Sequence, residues 1–110
     1  MSSSTQILKG ILEGCLLKII AKGETYGYEM METLHLYGFT MVSEGSIYPL
    51  LLRLKKDGLV TTSNKNTPSG GPKRKYYVLT QKGQEELNGF KENWGSISKS
   101  VNKLLREEGD

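Results

Sequence analysis

One cysteine, one histidine and one tryptophan are all that these 110 residues hold of three side chains on which many functions depend. A lone Cys15 cannot close an internal disulfide, as expected of a chain from the reducing cytoplasm, and among its Leu and Ile neighbours it reads as a small buried hydrophobe. His35 has no second histidine and no thiolate or carboxylate cluster beside it, so no metal site is expected. The same scarcity leaves nothing from which to build an acid–base or nucleophile–base pair, and neither an enzyme nor a bound cofactor is expected. Long apolar runs are missing too. Lys18 interrupts "CLLKII", far short of the roughly 20 residues of a membrane span. "MSSSTQILKG" has no basic region followed by a long apolar one, so it does not read as a signal peptide.

What is present is an ordinary globular composition in a chain of single-domain length, with 36% hydrophobic and 25% charged residues, which excludes disordered and collagen-like classes. The net charge of +3 hides an asymmetry. From Ser43 to Lys82 the basic residues Arg53, Lys55, Lys56, Lys65, Lys73, Arg74, Lys75 and Lys82 face only Glu44 and Asp57, while the flanks are acidic, ending in "EEGD". A basic middle between acidic flanks suits a polyanion on one face.

Apolar periodicity predicts three helices in the first half. Ile7, Leu8, Ile11, Leu12, Cys15, Leu16, Ile19 and Ile20 recur in adjacent pairs, a stripe wide enough for more than one neighbour, and Gly23 ends it. "ETYGYEMMETLHLYG" gives a second helix, capped by Thr25, with Tyr28, Met31 and Leu34 on one face and Gly38 as its stop. "FTMV" reads as an extended link. Ser43 then caps a third helix whose inward face is Ile47, Leu50 or Leu51, and Leu54, closed by Asp57-Gly58. The period changes at "LVTTS", a strand, and again after the turn-rich "NKNTPSGGPK" at a second strand, "RKYYVLT"; Tyr76 and Tyr77 face opposite sides of it. Thr80 caps a long last helix, weakened locally by Gly83, Gly89 and Gly95. The predicted architecture is mostly α with a β-hairpin: a winged helix-turn-helix over residues 1–80, then a C-terminal dimerisation helix over 81–110, together one compact domain.

The third helix carries the chemistry. Ser46, Tyr48 and Pro49 lie near its start, and Arg53 and Lys56 lie off the apolar stripe. A proline within the first turn costs little and leaves neighbouring amides free for a phosphate. Arg53 has the fork that matches guanine O6 and N7. Lys73, Arg74 and Lys75 follow a Gly-Gly tip, where a mobile basic loop supplies sequence-independent phosphate contacts. "PSGGPK" has the glycines of a phosphate loop but neither its Gly-Lys-Ser/Thr ending nor a following helix.

"YGYEM", "SEGSIYPLLLRLKKDGLV" and "GGPKRKYYVLTQKG" resemble, in order and spacing, the signature blocks of the PadR family of bacterial transcriptional regulators. The resemblance runs from Gly23 to Gly83 and implies a regulator with Ser46, Tyr48 and Arg53 on the recognition helix and Lys73, Arg74 and Lys75 on the wing. Pro72 departs from the pattern, since many members carry a basic residue there.

Along the last helix Leu87, Phe90, Trp94, Ile97, Val101 and Leu104 recur at spacings of three and four. So small a chain has few surfaces against which to bury this seam. A second copy is the simplest solution, and it suits a two-fold symmetric DNA site. The rival is packing against the first helix. Trp94 reads as a large core or interface anchor. Resemblance to the compact PadR subgroup implies a sharper role, a platform on which flat aromatic effectors stack, with Gly95 and Ser96 leaving room. The expected function is a homodimeric regulator, a repressor of a palindromic operator on double-stranded DNA, released by a small aromatic or hydrophobic effector near Trp94. The other class is a winged-helix module that binds a protein partner, its basic face merely solvated.

Overall fold

The computed structural model describes residues 3–107, with side chains at Leu8 and from Gly10 onward. The Ile7 side chain and the last three residues of "EEGD" lie outside the described residues. The elements run α1 (Ser3–Ala21), β1 (Thr25–Tyr26), α2 (Gly27–Leu36), α3 (Glu44–Lys56), β2 (Val60–Lys65), β3 (Arg74–Leu79) and α4 (Gln81–Leu105). This is a winged helix with a long C-terminal helix, as the sequence predicts.

The broad stripe of α1 buries Leu12, Leu16 and Ile20, with Leu8, Cys15 and Ile19 packed at the core's edge. Leu17, outside the expected stripe, is buried as well, so α1 is enclosed on more sides than predicted. Burial also pushes the Cys15 thiol up from its ordinary pKa, which suits a packing role. The core closes with Met30 and Leu34 from α2, Ile47, Leu50, Leu51 and Leu54 from α3, Leu59 and Val60, Tyr77 from β3 and Leu87 from α4. Each such side chain contributes about 1.5–3 kcal/mol relative to exposure.

Two local expectations are corrected in α2. Thr25 does not cap it: Tyr26 occupies the N-cap without a side-chain bond, and Thr25 belongs to β1. Its buried hydroxyl donates to Glu29 Oε1 at 2.6 Å, so it steadies the first turn from outside. The inward face is Gly27, Met30 and Leu34; Tyr28 is exposed and Met31 only half-buried. The stop at Gly38 holds, with φ of 104° and a pair of bonds, Gly38 N–H to His35 and Phe39 N–H to Leu34, that closes the helix. The chain is therefore still turning through Phe39–Val42, where the Val42 amide donates to Phe39, and "FTMV" is a turn instead of an extended link.

In α3 Ser43 caps as expected and forms a reciprocal box with Ser46, each side chain serving the other's backbone amide. Leu51 is fully buried and Leu52 is 69% exposed. Pro49 is the sixth residue of the helix, beyond the first turn in which a missing N–H costs nothing. What it removes is the amide that would otherwise serve the Gly45 carbonyl one turn earlier, so it takes away a helical donor where free donors are expected from the sequence.

The sheet has three strands in the order β1-β3-β2, all antiparallel. The hairpin was predicted; β1 was not, because two residues carry no alternation to read. It pairs Thr25 with Tyr77 and Tyr26 with Tyr76. The opposite faces of Tyr76 and Tyr77 are as expected, with Tyr77 buried and Tyr76 half-buried.

Leu59 joins three elements through its backbone. Its amide donates to Leu54 and closes α3, and its carbonyl accepts from Thr80 N–H at 3.0 Å. Thr80 caps α4, accepting from Gly83 N–H at 3.0 Å, and its hydroxyl donates to the Gly58 carbonyl at 2.7 Å. Gly83 sits so close that a Cβ there would lie 2.1 Å from the Leu59 carbonyl oxygen. That glycine is a docking requirement. Beyond Leu87 no residue of α4 is fully buried, and the molecule is elongated, 59 × 29 × 23 Å.

Candidate nucleic-acid interface

With Ile47, Leu50, Leu51 and Leu54 turned inward, helical geometry points Gly45, Pro49, Leu52 and Lys56 directly away from the core. Glu44, Tyr48 and Lys55 fall on one flank of α3, and Ser46 and Arg53 on the other.

On the first flank the Tyr48 ring covers Gly27, where a Cβ would lie 2.9 Å from the Tyr48 hydroxyl. The hydroxyl donates to Glu44 Oε2 at 2.7 Å, one turn earlier on the same helix. That hydrogen bond to Glu44, with some loss of solvent, pushes the Tyr48 pKa up to about 12, so the phenol remains a neutral donor at physiological pH.

The wing reaches this same flank. Tyr48 and Glu44 share a cleft of about 430 Å³ with Lys73, Arg74, Lys75, Tyr26 and Tyr77. At the wing's base the Arg74 guanidinium lies 4.0 Å from the Tyr26 ring centre, Tyr26 meets Tyr76 edge-on at 5.4 Å, and Lys65 Nζ lies 5.5 Å from the Tyr76 ring. Lys65 also donates to Glu24 at 2.6 Å. Arg74 and Lys65 therefore brace the hairpin. Lys73 and Lys75 are exposed and make no ion pair with the described residues.

The second flank differs from expectation. Ser46 spends its hydroxyl on the capping box, accepting from the Ser43 amide and donating to the Ser43 carbonyl at 2.7 Å. Arg53 Nε lies 2.9 Å from Glu13 Oε2 of α1, so this guanidinium is partly engaged. Lys56 stands exposed near the far end of α3. The structure thus gathers Tyr48, Lys73, Arg74 and Lys75 into one cleft and leaves Ser46 and Arg53 around the helix from it. Sequence reasoning missed Tyr26, Gly27 and Glu13. For Glu13 a signal existed, since it is the one acidic residue of α1.

Comparison with known proteins identifies this arrangement. Residues 16–89 match the model of the transcriptional regulator PadR-like family, more than half of the chain. The chain belongs to the PadR-like family of transcriptional regulators. It is similar to the crystal structure of a PadR-like transcriptional regulator from Bacillus cereus strain ATCC 14579, at 55% identity and a TM-score of 0.83, covering 94% of this chain and 99% of that one. A Streptococcus transcriptional regulator matches at 40% identity and a TM-score of 0.81, over 92% and 98% of the two chains. An uncharacterized protein of Lysinibacillus sphaericus is 25% identical over 103 residues, 92% of this chain and 94% of that protein. This PadR-like chain is therefore a transcriptional regulator with a DNA-binding winged helix, and not an enzyme. No helix among the described residues is long and apolar enough to cross a membrane.

In this PadR-like regulator the seam of α4 is split. Leu87 is 1% exposed in the protomer's own core, which removes it from the predicted contact with a second copy. Phe90 is half-buried, its ring pressed against α1 where a Cβ on Gly14 would lie 2.4 Å away. Packing against α1, the rival reading, therefore accounts for the first part of the seam. Trp94, Ile97, Val101 and Leu104 are 46%, 56%, 48% and 67% exposed. Trp94, Ile97 and Val101 line a groove of about 550 Å³ with Phe90, Gly10 and Ile11, and no charged side chain enters its lining.

Proposed function

We propose that this PadR-like regulator is a homodimeric repressor that binds a palindromic operator with α3 and the wing of each protomer. The observation that carries the reading is the shared cleft, in which Tyr48 at the start of α3 meets the unpaired Lys73 and Lys75 of the wing. Such a cleft offers two free ammonium groups to a phosphate backbone, beside a helix sized for the major groove whose Tyr48 ring is held in place by its bond to Glu44. Residues 1–80 form the DNA-binding part. The exposed stretch of α4, Phe90 to Leu104 within 81–110, pairs the two copies, and its first turns belong to the winged helix. Tyr48, Arg53 and Lys56 act from α3, with Ser46 serving through the cap that sets the start of the helix, and Lys73, Arg74 and Lys75 act from the wing, with Arg74 chiefly as a brace.

The test is binding to duplex carrying the region upstream of its own gene, against random duplex of equal length, across a salt series. Lys73→Ala is expected to weaken both duplexes alike and to reduce the slope of log K against log salt by about 1. Arg53→Ala is expected to narrow the preference for the upstream duplex, equivalent to about 1–3 kcal/mol at one base pair. Equal binding of the two duplexes by the unaltered protein would end the reading.

The apolar groove at Trp94 suits a small aromatic or hydrophobic effector, which releases the operator if it binds one spacing of the recognition helices better than another. A planar aromatic dye is expected to quench Trp94 fluorescence and to lower operator affinity in the same concentration range. Quenching with no change in operator affinity would separate a mere binding groove from an effector site.

A further inference from the structure

The ion pair between Arg53 and Glu13 joins α3 to α1, and its setting is unusual for a surface pair. Glu13 Oε2 is shut off from water and makes no aligned hydrogen bond, while Arg53 is the only ion-pair partner of Glu13 among the described residues. The Arg53 side chain, by contrast, is 53% exposed. The pair thus joins a covered oxygen to an open guanidinium.

We propose that Glu13 is a positioning residue for DNA reading: it pins the Nε edge of Arg53, so that the guanidinium meets a base with its two Nη nitrogens already aimed. This rests on the DNA-binding reading of α3. The Glu13 side chain as a whole is 27% exposed but its Oε2 is covered, so withdrawing the guanidinium takes from that oxygen its one charged neighbour among the described residues. Arg53 is therefore tethered when DNA arrives. The tether uses Nε and leaves the Nη pair, whose parallel N–H groups match guanine O6 and N7. Holding a long side chain in one orientation before binding also removes part of the ordering cost that a free arginine meets on contact. The neighbouring residues anchor the anchor. Gly14 abuts the Phe90 ring, and Leu12 on the other side is in the core, so Glu13 is presented from a fixed point of α1. On this account part of the specificity of the recognition helix resides in a residue of another helix.

The experiment compares specific with random duplex for the full chain and for Glu13→Gln, Glu13→Asp and Arg53→Ala, alone and combined. Glutamine keeps the shape and loses the charge; aspartate keeps the charge and withdraws it from Arg53. Both Glu13 variants are expected to lower the ratio of specific to random binding by about fivefold or more, the order of one weakened base contact. Neither is expected to lower it further in the Arg53→Ala background, a coupling that a purely structural Glu13 does not produce. If the ratio falls in Arg53→Ala but stays unchanged or rises in Glu13→Gln and Glu13→Asp, the positioning role is wrong and the DNA-reading one stands. If Arg53→Ala itself leaves the ratio unchanged, both are wrong.

Discussion

Replacing Ile97 and Val101 together by glutamate is expected to give a folded monomer with no measurable preference for the operator. Both side chains are about half exposed in the protomer and line the Trp94 groove, so within one chain they support little. Surface substitutions of this kind usually change protomer stability by no more than about 0.5 kcal/mol. In the proposed two-fold dimer these positions lie in the contact, and each charge would appear twice in a desolvated, apolar setting. Burying even one unpaired carboxylate costs several kcal/mol, enough to dissociate a contact built on α4 alone. A monomer then meets one half-site at a time and loses the gain of linked binding, worth a factor of about 100 or more. Sedimentation velocity reads the mass, circular dichroism the retained helix, and a binding titration the lost preference. A variant that sediments like the unaltered protein would show that the stripe is not the dimer contact.

The second large effect lies in the same helix and has the opposite dependence on assembly. Gly83→Ala is expected to destabilise the protomer by about 2 kcal/mol or more, although alanine is the better helix former by about 1 kcal/mol. The added Cβ meets a backbone oxygen, that of Leu59, at 2.1 Å, and a backbone cannot move aside as a flexible side chain can. Gly95→Ala provides the contrast. A Cβ there has nothing within 4 Å, so the helix preference acts alone and stability is expected to rise by roughly 0.5–1 kcal/mol. Thermal melts at one protein concentration check the pair, because dimer melting depends on concentration. Equal signs for the two substitutions would refute the docking role of Gly83.

That contrast marks what was legible in the amino acids. The periodicities of α1, α3 and the hairpin, the caps at Ser43 and Thr80, and the stops at Gly38 and Gly58 were all readable, because each is a short-range pattern with a local physical cause. In sequence the three glycines of α4 are alike, weak points of a helix, yet only Gly83 among them has a partner that demands it; a close approach between distant segments leaves no local trace. Thr25 resembles a cap in sequence for a related reason. A residue just before a helix offers the same hydroxyl whether it caps or pairs in a strand, and the choice is made by Tyr77 across the sheet.

The candidate interface divides in the same way. Charge and position identified the basic residues of α3 and the wing, and the cleft brings Tyr48, Lys73, Arg74 and Lys75 together. Which cations are free and which are engaged was not readable, since Glu13 and Tyr26 lie far along the chain from Arg53 and Arg74. Pro49 lies too deep within α3 to free first-turn donors, and it removes the helical partner of the Gly45 carbonyl instead.

The junction at Leu59 has a mechanical meaning. The end of α3, the return of the wing and the first turn of α4 are fastened to one peptide unit and its neighbours, with Lys82 donating to the Asp57 carbonyl at 2.9 Å as a further stay. A lever needs a stiff arm and a stiff joint. Here α4, about 37 Å long at 1.5 Å per residue, is the arm, and Leu59 welds it to the reading helix. In the proposed dimer, with this joint fastened by so many bonds, the compliant point would be where arm meets arm. A change of angle there sweeps the reading heads apart or together by an amount set by the length of the lever.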